Sequence, residues 1–160
     1  VYHLINQTIT NVLKKISQML QGHDVEWLVV GTASLAVQGV NLQPGDIDII
    51  TTKDDVFKIA EILKQYETKQ VEFGRTPLFE SYMGVYEIDG IKVEIMGDLR
   101  EKRGNEWVSL TERLMSPIII EIDGTPIPVS SLKDQIVSYE KLGRPKDSER
   151  VAKIRKILGQ

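Results

Sequence analysis

Trp27-Leu28-Val29-Val30-Gly31-Thr32-Ala33-Ser34, followed by Asp46-Ile47-Asp48-Ile49-Ile50, is the stretch that decides the fold of this sequence. It opens on a short unbroken apolar run, the pattern of a strand buried on both faces. Gly31-Thr32 breaks that strand, and residues 33–38 read as a short helix closed by Gly39. The loop Asn41-Leu42-Gln43-Pro44-Gly45 turns the chain into a second strand. Acidic and apolar residues alternate there, so Asp46 and Asp48 project from one face with Cα atoms about 6.5 Å apart. Two carboxylates aimed at one point repel each other unless a cation, a basic side chain or a proton offsets them. A divalent ion does this best, since oxygen ligands are what Mg²⁺ takes. The other reading of such a pair is a solvated polar face. The flanking apolar residues place it instead on a central strand.

Further out, Lys92-Val93-Glu94-Ile95-Met96 offers a third carboxylate. A neighbouring strand lies about 4.8 Å away, so Glu94 reaches the same point if the register allows. Asp89-Gly90 separates residues 81–88 from 91–96, and Asp123-Gly124 separates 118–122 from 126–129. Asp-Gly between β-rich runs predicts a hairpin at the first pair, and a short hairpin or a pair of extended segments at the second. Apolar spacing predicts a helix from Leu4 to Leu20, ended by Gly22. A second helix is expected over Lys53–Tyr66, with Val56, Phe57, Ile59, Ala60, Ile62 and Leu63 inward. Two more span residues 131–142 and 147–158, parted by Gly143-Arg144-Pro145. Residues 97–116 carry no clear period. The expected architecture is α/β (α+β): a mixed central sheet with the acid strand in its middle, flanking helices mainly on one face, and a C-terminal helical pair. It forms a single domain over residues 1–160, with its core over 26–96.

Composition narrows the chemistry. The chain has 160 residues, 41% hydrophobic and 27% charged, with a net charge of −3. With no cysteine, disulfides, thiolate metal sites and cysteine nucleophiles are excluded. The two histidines, His3 and His23, are too few for a multi-histidine zinc site and receive no role. The slightly acidic balance argues against a large nucleic-acid surface. No apolar run approaches the roughly 18 residues that span a bilayer, and no secretory signal stands at the start as given. A cytoplasmic location is the expectation.

The order strand, Gly31-Thr32, short helix, Asp46-Ile47-Asp48 resembles the nucleotidyltransferase superfamily that shares its fold with DNA polymerase β. That signature is an apolar strand ending in Gly and Gly or Ser, then Asp-apolar-Asp, then a third acid on a later strand, which Glu94 matches. Lys141-Leu142-Gly143-Arg144-Pro145-Lys146-Asp147 also looks like the tail of small bacterial members, which include antibiotic-modifying and toxin-like proteins. The resemblance implies Mg²⁺ (or Mn²⁺) held by Asp46, Asp48 and Glu94. It implies transfer of a nucleoside monophosphate from an NTP to a hydroxyl or phosphate acceptor, with release of pyrophosphate. Gly31, Thr32 and Ser34 would meet the phosphates, Glu94 also orienting the attacking group or taking its proton. The acceptor could be a small molecule, an RNA or a protein. Thr32 stands where Gly or Ser is usual, and the loop before Asp46 lacks the basic residue of many relatives. Lys141, Arg144 and Lys146 are therefore the expected triphosphate cations. The alternative function is a catalytically weakened nucleotide-binding or regulatory module, or a toxin-like protein of the same fold.

Overall fold

A computed structural model describes residues 5–160. Leu4, the expected start of the first helix, and His3 lie outside these residues. In chain order the elements are α1 (Gln7–Leu20), β1 (Trp27–Val30), α2 (Gly31–Val37), β2 (Ile47–Thr51), α3 (Lys53–Ile62), β3 (Glu67–Arg75), β4 (Phe79–Ile88), β5 (Ile91–Arg103), β6 (Glu106–Ser109), β7 (Ile118–Ile122), β8 (Thr125–Val129), α4 (Leu132–Leu142) and α5 (Pro145–Ile157). Among the described residues the strands form one sheet in the order β3-β4-β5-β2-β1-β8-β7, with β6 alongside β5. The acid strand β2 sits in the middle, antiparallel to β1 and parallel to β5.

Both faces of the central strands are apolar, and each is covered. Ile9, Val12, Leu13 and Ile16 of α1, with Val56 and Ile59 of α3, bury Val29, Ile47, Ile49, Val93 and Ile95. On the opposite face Leu28 and Ile50 meet Leu99, Leu110 and Leu114. Leu35 and Val40 join Ile136, Tyr139 and Ile154, which docks the C-terminal pair beside α2. The helices are therefore not confined mainly to one face: a strand apolar on both sides requires a cover on both. Among the described residues no helix is long and apolar enough to cross a membrane.

Both Asp-Gly pairs turn hairpins. Asp89 and Gly90 have φ of 51° and 80°, Asp123 and Gly124 of 50° and 79°. Two successive positive φ values characterise the type I′ turn, whose twist matches that of the strands. β5 runs well past Met96, through a register shift opposite Glu80–Tyr82, with Asp98 at φ 52°. At Gly97 the strand passes under α3: an added Cβ would lie 2.7 Å from Val56 Cβ and 2.9 Å from the Thr52 carbonyl oxygen. Phe57 is not inward as expected. It is 48% exposed, its ring 6.3 Å from that of Tyr82. Gly143 closes α4 at φ 65°, and α5 begins at Pro145, whose fixed φ and missing N–H suit the first helical position.

Candidate active site

Parallel pairing of β2 with β5 sets Asp48 directly opposite Glu94, while β1 sets Val30 opposite Asp48 on the other side. Asp46 stands just before β2, on the same face by alternation. All three acids line one cleft of about 480 Å³ between the sheet, the start of α2 and the C-terminal helices. Burial, then the charges of Asp46 and Glu94, push the Asp48 carboxyl up to about 7, against a smaller pull from Lys92 and Arg150. Lys92 Nζ donates to Glu94 Oε1 at 3.0 Å. Gly31, at φ 69°, lies so close that an added Cβ would be 2.9 Å from Asp48 Oδ2.

Among the described residues no set of three His, Cys, Asp or Glu side chains forms a ready metal cage. Mg²⁺ does not need one: it usually takes one or two carboxylates and completes its shell with water and phosphate oxygens. A buried Asp48 carboxyl raised by burial and by the neighbouring charges of Asp46 and Glu94 has the donor chemistry such an ion satisfies.

Of the other residues singled out in the sequence, Gly31, Thr32, Arg144 and Lys146 line the cleft. Ser34 and Lys141 do not. Ser34 is fully buried; its hydroxyl donates to the Gly31 carbonyl at 2.7 Å and accepts from Gln135 Nε2 at 2.8 Å, tying α2 to α4. Lys141 is exposed in the last turn of α4, where a basic group offsets the helix dipole. Asp147 is the third residue of α5. Its buried carboxylate accepts from the Arg144 backbone N–H at 3.0 Å and from Arg144 Nε at 2.7 Å.

Arg150 is a cleft residue that sequence reasoning missed. Its guanidinium lies 5.6 Å from the centre of the Tyr139 ring. The signal was available: on a helix starting at Pro145, positions 146 and 150 fall on one face. At the far end of the cleft Arg113 donates to the Asp134 carbonyl at 3.0 Å and to Ser138 Oγ at 2.7 Å. Burial lowers the pKa of that guanidinium. Glu101, fully buried beside it, accepts from Arg103 Nε at 2.7 Å through one oxygen, and its other oxygen has no partner among the described residues. Both belong to the stretch without a readable period.

The family profile of aminoglycoside-2″-adenylyltransferase matches residues 12–154. A Thermotoga maritima protein classed as a nucleotidyltransferase is 36% identical over 99% of this chain and 97% of its own, with a TM-score of 0.84. ANT(2″)-Ia in complex with adenylyl-2″-tobramycin is 13% identical over 96% of this chain and 90% of its own. Its TM-score of 0.55 shows likeness of fold. No curated protein matches the chain in sequence.

Proposed function

The chain belongs to the aminoglycoside-2″-adenylyltransferase family of nucleotidyltransferase enzymes, and from that premise we propose that it moves a nucleoside monophosphate from an NTP to a small-molecule acceptor in a Mg²⁺-dependent reaction. The observation that carries this reading is the in-register pair Asp48 and Glu94, with Asp46 beside them, facing Arg144, Lys146 and Arg150 across one cleft. Acids on one wall and bases on the other are what a metal-bound polyphosphate requires. The complex of the distant relative with an adenylylated aminoglycoside favours a small molecule over an RNA or a protein.

Asp46, Asp48 and Glu94 would hold Mg²⁺ or Mn²⁺, which supplies charge neutralisation on the phosphoryl oxygens and lowers the barrier to their displacement. Gly31 leaves room for the phosphates beside Asp48, and Thr32 offers a hydroxyl at the same rim. Arg144, Lys146 and Arg150 bind and orient the triphosphate. Glu94 stands at the β4 side of the acid group, placed to orient an attacking hydroxyl and take its proton.

Two measurements test this. Mg²⁺ with NTP should raise the melting temperature more than either alone, by about 2.7 kcal/mol of stabilisation at a hundredfold excess over Kd. Asp46→Asn with Asp48→Asn should abolish the metal effect. Pyrophosphate release should then be screened across four NTPs with Mg²⁺ and pooled acceptors. No melting shift at millimolar metal and nucleotide would overturn the site.

A further inference from the structure

A second groove, of about 340 Å³, touches the site on the far side of Glu94 from the phosphate-facing bases. It lies within the size range of small-molecule sites. Alternation along β4 turns Phe79, Ser81 and Met83 toward it, and Met96 and Leu99 of β5 complete its apolar floor. Met83 stands opposite Met96 and Val85 opposite Glu94, so the floor leads directly to the third acid. Gly74 stands opposite Ser81, and two small residues there keep the floor low.

The charges on its rim are already matched. Glu80, 3% exposed, accepts from Arg75 Nε at 2.7 Å and lies 3.6 Å from Arg100 Nη1. Glu72 pairs with Lys69 at 3.3 Å. Lys92 Nζ meets one oxygen of Glu94, Oε1, at 3.0 Å. A polycationic acceptor would find no uncompensated carboxylate there to repay the loss of its hydration. One polar group in the groove is free: Ser81 is 8% exposed, and its hydroxyl engages no other group among the described residues. Open to the groove and engaged by no protein group among the described residues, that hydroxyl is available to donate to or accept from a ligand.

We infer that the acceptor is a small uncharged hydroxyl compound with an apolar face, seated over Met83 and Met96 and anchored by Ser81, rather than a polyamine. This rests on the transferase reading above and names its acceptor class. In the transfer the acceptor oxygen bonds the α-phosphorus as the bond from that phosphorus to the bridging oxygen breaks. Pyrophosphate leaves with the electron pair, and the acceptor proton passes to Glu94 and on to solvent.

The test uses the full chain with Mg²⁺ and whichever NTP raises its melting temperature most. Pyrophosphate release is compared with phenyl-β-glucoside and butyl-β-glucoside as neutral acceptors and tobramycin as the polycation. Turnover of a neutral glucoside with kcat/KM at least roughly tenfold above that of tobramycin is expected, a difference of about 1.4 kcal/mol. Ser81→Ala should raise the KM of the neutral acceptor roughly three- to tenfold, as loss of one hydrogen bond predicts, with the KM for NTP unchanged. Met83→Glu should raise it further. Tobramycin turned over in preference to both glucosides, or no turnover of either, overturns the acceptor class, as does an unchanged acceptor KM in Ser81→Ala. Absence of the nucleotide-dependent melting shift instead brings down the transferase reading beneath it.

Discussion

A methyl group at position 31 would meet the Asp48 carboxylate at 2.9 Å, on a backbone at φ 69°. The left-handed conformation alone costs an L-residue roughly 1–2 kcal/mol. Gly31→Ala should therefore lower the urea midpoint by that order and reduce pyrophosphate release by more than the stability loss explains, because Asp48 must move. Asp48 also sets a pH dependence. Its folded pKa, about 7, lies above its ordinary 3.8, so between these values the native state binds more protons than the unfolded one. Stability of the metal-free protein should fall as pH rises across that window, by at most about 1.4 kcal/mol per pH unit, and level off above it. Melting curves from pH 4 to 8 check this; Asp48→Asn should flatten the slope, and saturating Mg²⁺ should reduce it. At this scale the sequence was legible wherever alternation alone decides a side chain's direction, as for Asp46, Asp48 and Glu94. It was illegible where the partner is distant: Ser34 carries a hydroxyl suited to phosphate, but Gln135 of α4 claims it.

The hairpins could be read because a type I′ turn demands two residues tolerant of positive φ, and Asp-Gly supplies them. β3 left no such mark. Its residues, Glu67-Thr68-Lys69-Gln70-Val71-Glu72-Phe73-Gly74-Arg75, form an edge strand exposed along most of its length, so no apolar alternation is written into it. β5 was hidden past Met96 for a different reason: the register shift around Asp98 breaks its period of two. Helix phase explains the basic residues. α5 starting at Pro145 turns Lys146 and Arg150 into the cleft, whereas Lys141 stays on the solvent side of α4. Arg150→Ala should weaken NTP binding by about 1–3 kcal/mol, the range for a charge-assisted contact, and Lys141→Ala should leave it nearly unchanged. Titration calorimetry with Mg²⁺ present measures both; equal losses would mean that the cleft does not hold the triphosphate.

Across the whole molecule, the cleft exists because one sheet carries helices on both faces, with the C-terminal pair returning to close the side where the acids emerge. The β2–β5 ladder at its floor joins strands separated by α3 and the whole β3–β4 hairpin. Such a parallel pairing closes a long loop before its contacts reward it, which makes it slow. The three acids are forced together only when that ladder forms, so their repulsion falls on the barrier to folding as well as on the native state. If the ladder is in place at the transition state, Asp48→Asn should speed refolding in metal-free buffer at pH 8 and leave the unfolding rate nearly constant. Stopped-flow chevrons would show it as a raised folding limb; a change confined to the unfolding limb would place the meeting of the acids after the barrier. The charge cluster that equips the chain for phosphoryl chemistry would then also govern how quickly each new copy of it becomes a folded protein.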